Sequence, residues 1–174
     1  MTKKEYKDLL RSDYLRYSDN NSFIGRLVTY KKKCGYEWSY WFRTYRYLNS
    51  HTLLKPLAFL ARLHYHKLCV KYGFDIPSQI KHVGRGFKLE HFSYVAIHTD
   101  AYIGDNVTIH HGCTIGVKDN GIPIIKDGVD IGAGAIVMGN VTVGENALIG
   151  AHSVVTHDVP AGAKVAGNPA RILN

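Results

Sequence analysis

The chain has 174 residues, of which 45% are hydrophobic and 21% charged, a composition typical of a globular protein and not of a disordered one. Its formal net charge of +8 would favour nucleic acid or an anionic surface as a partner if the charge were spread evenly. The charge is instead concentrated, because residues 1–75 hold 15 Lys and Arg against 6 Asp and Glu, whereas residues 76–174 hold 7 against 8. No known nucleic-acid-binding motif occurs, so we predict no nucleic-acid partner.

The cysteines and the apolar segments indicate the cellular compartment. Cys34, Cys69 and Cys113 are odd in number and far apart, which argues against a disulfide scaffold and fits a reducing compartment. No CxxC pair is present, so no metal site is predicted. The opening residues lead into no apolar segment typical of a secretory signal, and the longest apolar run, 57–61, is far too short to cross a bilayer. We therefore expect a cytoplasmic protein.

The first 75 residues have a helical pattern. Hydrophobic residues at three- and four-residue spacing predict four helices, over residues 3–17, 23–34, 37–48 and 52–72. The turn cluster Asp19-Asn20-Asn21-Ser22 is suited to cap the second helix, and Gly35 is expected to break the pattern after it. Pro56 suits the first turn of the last helix, and Gly73 suits the position just after its end.

This helical region is also basic and aromatic. It holds ten of the twelve Tyr residues and both Trp residues, and between Arg26 and Lys71 it has ten basic residues and one acidic residue. One interpretation is a surface for a membrane interface, an anionic glycan or nucleic acid. The other, which we favour, is a helical cap whose aromatic side chains pack internally while Lys and Arg extend into water.

The remaining residues follow a six-residue repeat. An aliphatic residue, often followed by glycine, recurs at Ile97, Ile103, Ile109 and Ile115, and then in a new phase at Ile125, Ile131, Val137, Val143, Ile149 and Val155. A six-residue unit holds one short strand and one tight turn, with the aliphatic side chain pointing inward. Stacked units of this kind pair in parallel ladders. We therefore predict a mainly β protein: a parallel β-helix of about five turns over 76–174, with its C-terminal tail, after an α-helical region over 1–75.

Two breaks in the period predict loops that project from the coil. The step from Leu89 to Ile97 holds two extra residues, and the step from Ile115 to Ile125 holds four. The first break lies at His91. Insertions in a solenoid commonly build sites, so chemistry is expected at both breaks.

Six stretches of the repeat carry a recognisable pattern. They are Gly84–His91, Ala101–Ile109, Gly112–Gly116, Ile131–Ala135, Ile149–Val155 and Ala166–Ile172. In these stretches the chain resembles the hexapeptide-repeat acyltransferases, specifically the serine acetyltransferase-like branch. The resemblance covers nearly all of 73–172, and it implies a left-handed coil, a homotrimer and acyl-CoA lying in grooves between subunits.

The resemblance also implies catalytic residues. The family's general base is the His of a Leu-Asp-His stretch, which corresponds here to His91, preceded by Glu90 in place of Asp. The family's orienting aspartate corresponds to Asp75, which is one residue further from the histidine than in the serine enzymes. Neutral imidazole removes the proton of an attacking hydroxyl near pH 7, and a carboxylate on its other nitrogen fixes the tautomer. The alternative for His91 is a surface histidine on a bulge.

Acetyl-CoA is the co-substrate that the resemblance implies. Six residues are expected to contact it: Gly116, Val117, Ala133, Ala151, Lys164 and Arg171. Backbone N–H groups near the first two would stabilise an oxyanion, the two alanines would line the pantetheine groove, and the two basic side chains would meet phosphates. Ordinary solvated charges are the alternative for the last pair.

The acceptor is a hydroxyl, for which two candidates stay open. The loop Lys118–Pro123 lacks the Arg and His of the Asp-Arg-His-Pro stretch found in the serine enzymes, and the opening Ser12–Tyr17 looks like short homologues of capsule and exopolysaccharide biosynthesis. We therefore expect an O-acetyltransferase that acts on a sugar hydroxyl, with L-serine as the alternative acceptor. The basic helices would then either cap a trimer or make peripheral contact with a membrane that carries a lipid-linked glycan.

Two other functions share this coil. A γ-type carbonic anhydrase is suggested by His110, His111, His152 and His157, but the histidine pattern of that family is not reproduced. A catalytically silent coil that binds a partner is the non-enzyme alternative.

Overall fold

A computed structural model describes residues 1–18, 20, 22–91 and 93–173, and of Phe23 and Lys32 it describes the backbone alone. Asp19, Asn21 and Phe92, which fall in predicted turns, lie outside the described residues. No described helix has the length and apolar character needed to cross a membrane.

The four predicted helices are confirmed. They are α1 (Lys3–Leu15), α2 (Phe23–Lys32), α3 (Cys34–Asn49) and α4 (Lys55–Tyr72), with a 3-10 turn at Thr52–Leu54 before α4. Ser22 caps α2 by accepting a hydrogen bond from the Gly25 amide at 3.0 Å. Pro56 lies in the first turn of α4, and Gly73 ends this helix in the left-handed conformation with φ 69°.

The expected break at Gly35 is wrong. The break lies at Lys33, whose backbone is extended with φ −112° and ψ 95°, and Gly35 lies inside α3. A Cβ atom at Gly35 would collide with the carbonyl oxygen of Leu89 and the hydroxyl of Tyr17. This glycine therefore permits close packing of α3 on the coil, a role that local sequence does not distinguish from a helix break.

Fifteen short strands follow in the described part of the chain. They are β1 (Phe74–Asp75), β2 (His82–Val83), β3 (Lys88–Glu90), β4 (Val95–Ile97), β5 (Tyr102–Ile103), β6 (Thr108–His110), β7 (Thr114–Gly116), β8 (Ile124–Ile125), β9 (Asp130–Ile131), β10 (Ile136–Met138), β11 (Thr142–Val143), β12 (Leu148–Ile149), β13 (Val154–Val155), β14 (Lys164–Ala166) and β15 (Arg171–Ile172). The first sheet has the order β1-β4-β7-β10-β13, the second β2-β5-β8-β11, and the third β3-β6-β9-β12-β14-β15. All pairs are parallel except β14 with β15, where the chain folds back.

This topology confirms the parallel β-helix. From β1 to β13 every third strand returns to the same sheet, so the six-residue period places aliphatic side chains in register. In the first sheet Ile97 pairs with Ile115, Ile115 with Val137, and Val137 with Val155, and all four are buried. The aliphatic side chains of the repeat thus form the core of a three-sided coil.

Both predicted insertions are present. The first lies between β3 and β4, where His91, Ser93 and Tyr94 have positive φ; we call these three residues the bulge. In the second insertion Lys118 pairs with Gly121 across a tight turn, in which Asp119 and Asn120 have φ of 51° and 61°. Backbone at positive φ is typical of two-residue hairpin turns.

The helices cover the open edge of the first turn of the coil. Trp38, Phe42 and Tyr65 belong to the same hydrophobic core as the inward-facing residues of the coil. Helix side chains also satisfy the backbone groups of this edge, since the Leu89 amide donates to the Tyr17 hydroxyl at 2.9 Å, and the same hydroxyl donates to the Leu89 carbonyl at 3.2 Å. This arrangement agrees with the cap interpretation, because a solenoid needs its open end covered. The last helix ends at Tyr72, before the boundary predicted at residue 75, because Phe74 and Asp75 already form β1 and pair with β4 of the coil. The division of the chain into two domains stays a prediction.

Candidate active site

The turns from the third sheet to the first form one corner of the coil, which we call the histidine corner. His91, His111, Ala133 and Ala151 occupy this corner in successive turns of the coil, as the register of β3, β6, β9 and β12 requires. Neighbouring parallel strands lie about 4.8 Å apart, so the backbone of Ala151 is about 14 Å from that of His91 along the corner. The fold therefore brings the predicted base and two of the predicted acyl-donor residues onto one edge.

Backbone hydrogen bonds hold this corner in place. The Gly134 amide donates to the His111 carbonyl at 2.8 Å, and the His152 amide donates to the Ala133 carbonyl at 2.8 Å. At the first insertion the Gly112 amide donates to the Ser93 carbonyl at 3.0 Å, which ties the bulge to the next turn. The bulge is thereby fixed relative to the residues stacked above it.

His91 stands on strained backbone. Its φ is 63°, and φ is 118° for Ser93 and 54° for Tyr94, a conformation that costs energy for residues other than glycine. The His91 side chain is exposed. Strain of this kind persists where the surrounding structure enforces it and clusters at functional sites, so the bulge is consistent with a functional role for His91.

Two further histidines lie beside His91. Its ring centroid is 5.8 Å from that of His111, with the planes near a right angle, and 6.4 Å from that of His110. His110 Nε2 lies 3.3 Å from Asp130 Oδ1, a contact that becomes an ion pair when His110 is protonated. We did not predict His110, His111 or Asp130 as acetyl-transfer residues. The six-residue period could have placed His110 beside the predicted base, because His110 on β6 pairs with Glu90 on β3, one turn earlier in the coil.

Glu90 keeps a negative charge next to His91. Its side chain is half-buried on the outer face of β3 and forms an ion pair with Lys88. Burial by itself would raise the pKa of Glu90, but the hydrogen bond and charge of Lys88, with the charges of His91 and His110, outweigh burial and lower the pKa. Glu90 is therefore ionised at neutral pH.

Asp75 and Gly116 both lie on the first sheet, outside the histidine corner. Asp75 is exposed on β1, beside Ala96 of β4, and it lines an open groove of about 250 Å³ together with Gly116 and His98. No hydrogen bond or ion pair joins Asp75 to His91 among the contacts of the described residues. The role of Asp75 as the partner of His91 stays a prediction.

The other predicted acyl-donor residues are accessible. Val117 is exposed just after β7, next to Gly116. Lys164 and Arg171 are exposed on β14 and β15, in the last turn of the third sheet. Two positive charges thus lie at the far end of the sheet that carries β3 and Glu90, and their contact with phosphates stays a prediction. Among the residues that the structure describes, no group of three or more His, Cys, Asp or Glu side chains is placed to hold a metal ion.

Comparisons with known proteins agree with this architecture. The family model described as bacterial transferase hexapeptide (six repeats) matches residues 123–157. The crystal structure of a serine acetyltransferase from Neisseria gonorrhoeae in complex with serine superposes with a TM-score of 0.77 at 30% identity, covering 97% of this chain and 69% of that one. The chain belongs to the hexapeptide-repeat transferase family.

Two curated members of the family show how much of the relatives the chain spans. The serine acetyltransferase of Bacillus subtilis is 44% identical over 129 residues, which are 71% of this chain and 59% of the relative. Serine acetyltransferase 1, chloroplastic, of Arabidopsis thaliana is 43% identical over 129 residues, which are 71% of this chain and 41% of the relative. The chain thus spans about half the length of these hexapeptide-repeat relatives. Both relatives carry the name of the serine enzymes, and the capsule and exopolysaccharide branch that the sequence suggested stays a prediction.

Proposed function

We propose that the chain is an acetyl-CoA-dependent O-acetyltransferase in which His91 is the general base. The observation that carries this proposal is the histidine corner, where the exposed His91 shares one edge of the coil with Ala133 and Ala151. The family of the chain and the names of its relatives support the reaction class.

The residues present fit acetyl-CoA as co-substrate. Ala133 and Ala151 place small side chains at successive turns of the corner, so a slender chain can lie against the backbone there. Lys164 and Arg171 are exposed in the last turn and carry the charge that phosphates require. An acyl donor in this position would extend along the edge of the coil toward His91.

The proposed reaction needs one proton carrier and no covalent acyl-enzyme. The hydroxyl oxygen of the acceptor attacks the thioester carbonyl carbon, and His91 takes the hydroxyl proton as the C–O bond forms. The C–S bond then breaks, and the departing CoA sulfur takes that proton from the imidazolium. The ionised Glu90 beside His91 would stabilise the imidazolium in between.

L-serine is the acceptor that the comparisons favour. Both curated relatives are named serine acetyltransferases, and the Neisseria structure contains serine. The sequence favoured a sugar hydroxyl, and one observation keeps this as a second candidate: the hairpin 118–121 carries Lys, Asp, Asn and Gly, without the Arg and His of the serine enzymes. We also propose a cytoplasmic homotrimer, a state that the resemblance implies.

Release of CoA decides between these functions. The purified chain is incubated with acetyl-CoA and either L-serine or nucleotide-linked sugars, CoA is quantified by chromatography, and the acetylated product is identified by mass spectrometry. Serine-dependent release supports the first acceptor, and release with sugars alone supports the second. Release no faster than acetyl-CoA hydrolysis with every acceptor would contradict the proposal and favour a silent binding coil.

A further inference from the structure

The outer face of helix α4, together with the turn before it, is apolar. Six apolar side chains along it are exposed: Leu53, Leu57, Phe59, Leu60, Leu63 and Val70. The opposite face of α4 packs on the rest of the protein through Ala58, Ala61, Tyr65, Leu68 and Cys69. At 1.5 Å per residue, the exposed stripe is about 26 Å long. Single exposed apolar residues need no explanation, but six of them along one helix face mark an interaction surface.

Basic side chains lie beside this stripe and within it. Lys55, Arg62 and Lys67 are exposed on α4, and the helix contains no Asp or Glu. At 100° per residue, Arg62 and Lys55 lie on the edge next to Phe59, while Lys67 lies within the stripe, between Leu63 and Leu60. A face that carries both apolar side chains and exposed Lys and Arg complements an anionic bilayer surface, where apolar groups enter the headgroup region and the charges meet lipid phosphates.

The positive charge of α4 also bears on whether its exposed face binds a lipid surface or a second copy of the chain. In a two-fold symmetric contact α4 would face α4, so the basic residues of one copy would meet those of the other with no carboxylate on either helix. A three-fold contact, as in the proposed homotrimer, would place a different surface of the neighbouring copy against α4, and the oligomeric state of the variants below tests that case. Anionic headgroups instead complement this charge, and Lys and Arg near such a surface each contribute to binding. The charge of the face therefore fits an anionic membrane better than a two-fold contact of α4 with α4.

We propose that α4 docks the protein on an anionic membrane surface, with its apolar stripe among the headgroups and its basic residues on lipid phosphates. The docking site is built from α4 and the turn before it, and it uses none of the residues of the histidine corner. The proposal thus holds whether the acceptor is serine or a sugar, and its failure would leave the acetyl-transfer proposal untouched.

Vesicle flotation tests the proposal with the intact protein. Vesicles of phosphatidylcholine alone are compared with vesicles of phosphatidylcholine and phosphatidylglycerol, at low and high salt. We expect binding to the anionic vesicles alone, which weakens as salt screens the charges. The double variant Arg62→Gln/Lys67→Gln should weaken binding by about tenfold or more, and Leu60→Gln/Leu63→Gln should abolish it.

Matched variants on the coil serve as controls. Leu148→Gln and Lys126→Gln change exposed residues of the same types far along the chain from α4 and should bind as the unchanged protein does. Circular dichroism establishes that each variant is folded, and light scattering gives its oligomeric state. Absence of binding to anionic vesicles would overturn the proposal, as would equal loss in the coil controls. If Leu60→Gln/Leu63→Gln instead dissociates an oligomer while the unchanged protein ignores vesicles, α4 is an interface between copies.

Discussion

A buried ion pair fastens the helices to the first turn of the coil, and removing it should be costly. Asp13 is 0% exposed and Arg43 is 3% exposed. Arg43 Nε donates to Asp13 Oδ2 at 2.9 Å, and the guanidinium also donates to the carbonyl oxygens of Val83, at 2.8 Å, and Gly84. The other Asp13 oxygen accepts from the Phe87 amide at 3.1 Å. Both members of the pair thus bond to backbone groups of the first turn of the coil.

The variant Arg43→Met keeps the length of the side chain and removes its charge and donors. Asp13 would remain buried without its cation, and the carbonyls of Val83 and Gly84 would lose a donor. Breaking a buried pair by removing one partner costs about 3–5 kcal/mol, since the remaining charge is uncompensated. We therefore expect the free energy of unfolding to fall by about 4 kcal/mol.

Urea unfolding followed by tryptophan fluorescence measures this loss. Trp38 is fully buried and stacks on Phe42 with ring centroids 4.9 Å apart, so its emission reports the helical cap. The control is Lys81→Met, which breaks the exposed pair of Lys81 with Asp100; the Lys81 side chain is 72% exposed, and we expect no measurable loss of stability. An Arg43→Met loss as small as that of the control would refute the reasoning.

Two further predictions concern packing and burial. Gly35→Ala should lower the free energy of unfolding by about 2 kcal/mol because its Cβ would collide with the Leu89 carbonyl, although Ala is the better helix former by about 1 kcal/mol; an unchanged or raised urea midpoint would contradict this packing. Burial, partly offset by backbone hydrogen bonds, raises the pKa of the Cys113 thiol to about 11, so iodoacetamide should label Cys113 at pH 8 only after unfolding. Because its folded pKa is the higher one, Cys113 contributes to stability below the thiol pKa of the unfolded chain, near 8.5, and the free energy of unfolding should fall as pH rises above that value. Rapid labelling of the native protein would show that Cys113 is accessible.

The repeat made the coil predictable, because its signal is local and periodic. The aliphatic residue at each sixth position of the repeat, such as Ile109 or Ile131, is buried. The two breaks in the period correspond to the two loops. Contacts between distant segments have no such signal. The pairing of Asp13 with Arg43 joins two helices, and it depends on how the helices dock on the coil.

The candidate site could be predicted from the sequence only where residues could be placed by resemblance. His91, Ala133 and Ala151 are placed at the corner in this way, and their roles stay predictions, whereas His111 lies beside His91 only because β3 and β6 are stacked in register. Gly35 was misjudged because a close approach of backbone and a helix break both select glycine. The left hand of the coil, the homotrimer and the role of Asp75 stay predictions.

The acetyl-transfer rate of His91→Asn tests the central claim most directly. With acetyl-CoA and the best acceptor, we expect the turnover rate to fall by about 10²–10⁴-fold, the usual contribution of a general base, while binding of acetyl-CoA changes little. His157→Asn, an exposed histidine later in the coil, should retain the rate of the unchanged protein. A His91→Asn variant that transfers acetyl groups as fast as the unchanged protein would contradict the account.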